Sequence, residues 1–239
     1  MRRLIRVLTV IPLATAAAAG AGDDIKWERS APIPCFALDA SVASSDEEFA
    51  AVLERYTISW DAARRNVAVG HVGSLFYGWE VHCARLRKNA TQNQLPALTL
   101  KKQAEKARAL FEKVLVFFVA VGARDEADAN LCDPSRWEIY LLRDGEKQRP
   151  RFLGEPDAAF RDIIVRPISF SISGRDFGDA ARKKPPPAEY VESDESTAYR
   201  KIYKIAFDNP WEGAPQGNVK LVVAGEKVRR GFEWRFKKE

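Results

Sequence analysis

Side chains able to do acid–base, nucleophilic or metal chemistry are sparse in this sequence. The histidines are His71 and His82, and the cysteines are Cys35, Cys83 and Cys132. His71-Val72-Gly73-Ser74 sets a serine near an imidazole, but a triad is assembled across a fold and not by adjacency. No Gly-x-Ser-x-Gly elbow surrounds Ser74, which follows Val72-Gly73 and precedes Leu75-Phe76. Trp79, Val81 and Cys83 alternate with Glu80 and His82, which predicts a strand. Neighbours on a strand point to opposite faces, so His82 and Cys83 cannot grip one ion. A zinc site would need His71, His82 and a distant carboxylate to converge, and exposed strand histidines are the expectation instead. Carboxylates cluster at Asp46-Glu47-Glu48, Asp125-Glu126 and Glu192-Ser193-Asp194-Glu195, all in polar surroundings. None has the apolar setting that raises a carboxyl pKa for acid catalysis. Phosphate-loop, dinucleotide and EF-hand signatures do not occur. These patterns predict no catalytic site, no metal and no cofactor.

The aromatic residues are more suggestive. Trp211 sits in Asp208-Asn209-Pro210-Trp211-Glu212-Gly213, a Pro/Gly-containing loop between two strands. Loops on a rigid β scaffold carry binding residues, and Trp is a favoured anchor. The competing expectation is that Trp211 folds back and plugs one end of the fold. Tyr77 and Trp79, with Trp60, are candidates for a second aromatic patch.

The amino terminus predicts a destination. Met1-Arg2-Arg3-Leu4-Ile5-Arg6 is basic, an apolar run follows from Val7 to Ala19, and the small residues Ala16 to Gly22 close it. That order is the layout of a secretory signal peptide over residues 1–22. The apolar run is too short to span a bilayer and Pro12 breaks it, so no transmembrane anchor is predicted. Cys35 lies too far downstream for a lipoprotein signal. Three of the 38 basic residues belong to this leader, which leaves 35 against 33 acidic ones. A net of +2, with both signs interleaved, argues against nucleic acid as a partner. In an oxidising compartment three cysteines predict one disulfide and one thiol, with three pairings available. Cys83–Cys132 is the favoured pairing, since each lies at or just beyond an expected core strand. Closing such a loop would stabilise by about 4 kcal/mol.

The elements that must position these residues are mostly strands. Period-two patterns run through Trp137 to Leu141, Tyr199 to Phe207, Val219 to Val223 and Phe232 to Phe236, each with one apolar and one polar face. Val114 to Val121 is apolar throughout and predicts a central strand. Ile163 to Ile172 is similar, with Pro167 marking an edge or a bulge. Asp144-Gly145 between two runs predicts a hairpin. Ser45-Asp46-Glu47-Glu48 is a capping-box pattern ahead of a helix over 46–55, and a second helix is expected over 100–112, capped by Thr99. The stretch 174–197, with Pro185-Pro186-Pro187, reads as a long loop.

The fold expectation is therefore mainly β: an antiparallel Ig-like β-sandwich over 112–239 with one or two peripheral helices. Residues 23–111 form an α+β region or add strands to the same sandwich. The functional expectation is an exported periplasmic or extracellular protein of a bacterial envelope. It would bind another envelope protein or a surface glycan without catalysis. The alternatives are an envelope hydrolase using His71 or His82 with an acidic partner, and a module acting by strand addition near Pro167. Limited proteolysis tests the domain plan. A clean cut within 174–197 that leaves the halves associated marks a loop inside one domain, and fragments that separate mark two.

Overall fold

Ten consecutive residues without a charge, Val114–Ala123, form strand β4, and Leu115 onward is buried. A strand apolar on both faces needs a cover on both. Two antiparallel partners flank it, β3 (Val69–Phe76) and β8 (Tyr199–Asp208). The edges of this central sheet are β2 (Thr57–Asp61) and β7 (Phe152–Gly154), giving the order β2-β3-β4-β8-β7. A second five-stranded sheet has the order β1-β10-β9-β5-β6. Its members are β1 (Lys26–Ile33), β5 (Trp137–Arg143), β6 (Glu146–Gln148), β9 (Asn218–Gly225) and β10 (Arg229–Phe236). The computed structural model describes residues 25–33, 45–62, 67–160, 198–211, 213–215 and 217–237. The leader 1–22, Cys35, the segment around Pro167 and the stretch 174–197 lie outside the described residues.

One cover of β4 is the second sheet. Phe76 and Phe117 stand opposite each other on β3 and β4, with ring centroids 5.2 Å apart. Trp234 of β10 meets them at 5.9 and 5.3 Å, and Phe207 of β8 lies 5.7 Å from Phe117. The Trp234 side chain is wholly buried, and its indole N–H donates to the carbonyl of Tyr56 at 2.8 Å. That bond pairs a donor that would otherwise be desolvated between the sheets.

The other cover is partly helical. Phe118, adjacent to Phe117, points to the opposite face and packs with Tyr77 and Phe160. Arg85 of helix α2 (Trp79–Asn93) lies over the Phe160 ring at 4.7 Å. Helix α1 (Asp46–Tyr56) carries the expected capping box: Ser45 and Glu48 bond reciprocally at 3.1 and 3.2 Å. Its acidic first turn also meets α2, through Asp46–Lys88 at 3.1 Å and Glu48–Arg87 at 3.7 Å. Helix α3 (Ala97–Phe111) buries Leu100 and Ala104. It begins earlier than expected, with Pro96 and not Thr99 at the cap.

Most of the anticipated strands are present, and the Asp144-Gly145 hairpin joins β5 to β6 with φ of 50° and 85°, as a type I′ turn requires. The strand expected at Trp79–Cys83 is not formed; these residues open α2. Three alternating apolar residues were too short a run to decide. The buried positions Val81, Ala84, Arg87 and Ala90 continue at a helical interval of three. Strands from the first half enter both sheets, β1 beside β10 and β2–β3 beside β4, and one apolar cluster spans them. The architecture is mainly β. No helix among the described residues is long and apolar enough to cross a membrane.

Trp234→Ala should destabilise the protein by about 3–5 kcal/mol, the cost of a large buried aromatic. Chemical denaturation measures this, and a loss under 1 kcal/mol would mean that the sheets do not depend on that contact.

Candidate functional site

The chain turns sharply where β3 meets α2. Tyr77-Gly78 make the corner, and a side chain at Gly78 would collide with the Phe76 ring, 2.9 Å from an added Cβ. Glycine there lets Trp79 and Glu80 begin the helix directly above the sheet end. The C-terminal turn of α3 comes back to the same corner with Arg108, Phe111 and Glu112 just before β4 starts. Phe236, ending β10, closes one side, and Gly213-Ala214-Pro215 from the β8–β9 loop closes another. Together they enclose a cavity of about 280 Å³.

Asn209 holds the loop wall in place. Its backbone N–H donates to Lys113 O at 2.8 Å. Its side-chain amide donates to Glu112 O at 3.0 Å and Gly213 O at 2.8 Å. The walls are rings, from Phe76, Tyr77, Trp79, Phe111 and Phe236, and the polar groups are Glu80, Arg108 and Glu112. Arg108 and Glu112 pair along the helix at 3.3 Å. An apolar cleft with a few convergent polar groups is the usual composition of a small-ligand site.

Two titratable groups here are displaced from their ordinary behaviour. Burial raises the Glu80 carboxyl above the usual range, opposed by its backbone hydrogen bond and one from the Tyr56 side chain. His82 is pushed down to about 4, first by burial and then by the charge of Arg85. Its Nδ1 lies 3.1 Å from the Tyr77 hydroxyl. The Trp79 ring stacks at 6.2 Å and Phe111 lies 5.2 Å away. His82 is therefore a neutral, aromatic-boxed side chain at pH 7 and a weak proton acceptor.

The sequence-expected residues separate into three groups. Tyr77 and Trp79 do meet, and both line the cavity. Trp211 does not line it; its half-buried ring packs on the core with Arg143 at 5.6 Å, while its backbone N–H donates to Asn209 Oδ1 at 3.0 Å. Trp60 is elsewhere, under Arg230. The expected Cys83–Cys132 link is absent and both thiols are free. Their surroundings differ: Cys83 is buried on α2 near Glu80, Arg87 and Arg108, whereas Cys132 is exposed near Glu155 and Lys201. Burial, then Glu80, drives the Cys83 thiol up to about 12, so it is unreactive.

Nor are the histidines exposed on strands. His71 is on β3 but only 3% exposed, and His82 is on α2. His71 Nδ1 contacts Asp61 Oδ1 at 2.7 Å across the β2–β3 pair. Ser74, three positions along, points to the opposite face and is fully buried. Among the described residues no group of three or more His, Cys, Asp or Glu side chains could hold a metal.

Glu80, Arg108, Phe111, Phe236 and Asn209 were not anticipated as site residues. They come from four elements, and nothing local in the sequence marks their convergence. No protein-family model, no curated protein and no solved structure matches the chain.

The His82 environment predicts a pH effect. The folded value near 4 lies below the ordinary 6.5, so the unfolded chain takes up the proton first. Stability is complete above pH 6.5 and falls as pH drops toward 4, by at most about 3 kcal/mol. The raised Glu80 value acts in the opposite sense, so the comparison must be with a variant. His82→Gln should remove this component of the acid loss in denaturation curves between pH 7 and 4. Equal losses in both proteins would contradict the assignment.

Proposed function

We propose that this chain is an exported envelope protein that binds a surface glycan, without catalysis, in the cavity at the β3–α2 corner. The observation that carries the reading is the cavity itself: an aromatic wall faced by a half-buried carboxyl and an arginine. Aromatic faces stack on the C–H surfaces of sugar rings, while carboxyl and guanidinium groups bond their hydroxyls. The volume of about 280 Å³ suits one or two rings at a chain end. An Ig-like arrangement is part of this proposal. In its favour, among the described residues, are two face-packed sheets and a loop lining the cavity at one end of them, with α1, α2 and α3 as additions. Export rests on the basic, apolar and small-residue order of residues 1–22.

The hydrolase alternative has one observation behind it, the His71–Asp61 contact of 2.7 Å. Its imidazole is buried and its nearest serine in sequence faces away, so the binding reading is preferred.

Tryptophan fluorescence titration of the processed protein with a panel of bacterial surface oligosaccharides tests the proposal. At least one should bind saturably, and Trp79→Ala and Glu80→Gln should each weaken it by about tenfold or more, with folding retained by circular dichroism. No binding across the panel, or affinity unchanged in both variants, would overturn it. Hydrolysis of a p-nitrophenyl ester that disappears in His71→Ala would instead favour the enzyme.

A further inference from the structure

The opposite end of the same two strands carries a second, chemically different cleft. The aromatic cavity is bounded by Phe76 and Phe236, the last residues of β3 and β10. The second cleft is bounded by Val69 and Arg229-Arg230, the first residues of those strands. Seven residue steps along each strand separate them, roughly 23 Å. This open groove has a volume of about 630 Å³.

Its charged lining is all of one sign: Lys26, Lys227, Arg229 and Arg230. Lys26 begins β1, Lys227 lies in the β9–β10 turn, and the two arginines begin β10. The cations thus come from three positions around the groove. Acidic groups touch two of them from outside: Glu28 at 3.6 Å from Arg230 Nη1, and Asp128 at 2.8 Å from Lys227 Nζ.

Arg230 is the most constrained. Its guanidinium carbon lies over Trp60, 3.8 Å from the ring centroid, and its side chain is 13% exposed. Its Nε–H is buried and has no acceptor among the described residues. Arg230 lines the groove, and an anionic oxygen entering it is a charge-assisted acceptor for the guanidinium donors. The contact with Trp60 restrains the side chain before any ligand arrives, so less side-chain entropy is lost on binding. A planar carboxylate would be satisfied by one guanidinium edge. Cations placed on several sides suit an ion whose oxygens point in several directions.

We propose that this groove binds a tetrahedral oxyanion of the phosphate-ester class, held by Arg230 with Lys26, Lys227 and Arg229 around it. It is a site separate from the aromatic cavity and does not rest on the glycan reading. The anion is either free phosphate or a phosphate carried on a sugar, and the two are separated by experiment.

Isothermal titration of the processed protein with inorganic phosphate and with glucose 1-phosphate, and with acetate as a comparator, is the test. Saturable binding of at least one phosphate is expected, tighter than acetate and weakened by salt. The tighter of the two phosphates identifies the source. Arg230→Gln should weaken binding by about tenfold or more. Because that change also disturbs the Trp60 contact, the exposed pair Lys26→Gln/Arg229→Gln serves as a second variant and should weaken binding several-fold with the melting temperature unchanged. Absence of phosphate binding, acetate binding equally well, or full affinity in the double variant would each overturn the proposal. Trp79→Ala should leave phosphate affinity unchanged, which keeps the outcome distinct from that at the aromatic cavity.

Discussion

The hydrogen bond from Trp234 to the Tyr56 carbonyl is the constraint on which the molecule is arranged. An indole buried between two sheets must give its N–H a partner, and here the partner is the last residue of α1, immediately before β2. The bond links the second sheet to the entry of the central one, while the same ring packs against both Phe76 and Phe117. The second sheet, the start of β2 and the α1 end all meet at one side chain.

That arrangement makes β3 and β10 the shared frame of both clefts. At one end the frame offers rings and a carboxyl whose charge burial disfavours. At the other it offers cations around a stacked arginine. Site chemistry here comes from what crosses each end of the frame: the α2 and α3 ends and an Asn209-pinned loop at one, the β1 start and the β9–β10 turn at the other. Specificity is carried by short connections, and the strands contribute position.

Much of the fold was legible because half-buried antiparallel strands write themselves as alternation. Phe232 to Phe236 and Tyr199 to Phe207 are long enough for period two to be unambiguous. The capping box at Ser45 and the Asp-Gly hairpin were legible because each depends on residues within four positions. Strand β3 was harder to read, since Val69–Phe76 is buried along its whole length and has no wet face to mark it. Helix α2 was misread because its first five residues mimic alternation, and the deciding burial interval lies further on. In the site, Tyr77 and Trp79 could be chosen by residue type alone. Glu80 sits on the polar side of an expected strand, Phe236 on the apolar face of another, and Phe111 near the end of the expected second helix. Only long-range pairing brings them together. Trp211 was the natural choice for an anchor by composition, but Arg143 and the core hold its ring.

The pairing of β1 with β10 joins the first and last of the described strands. Arg29 reaches Glu233 across 204 residues at 2.7 Å, and among the described strands β1 has β10 as its hydrogen-bonded neighbour. Every local hairpin can form before that pairing, because a loop of about 200 residues must close to bring β1 beside β10. The second sheet is therefore completed by its most non-local contact, and loop-closure entropy makes that step slow. A break anywhere in the intervening chain would leave β10 with an open edge, so the integrity of one sheet reports on the continuity of nearly every element between them.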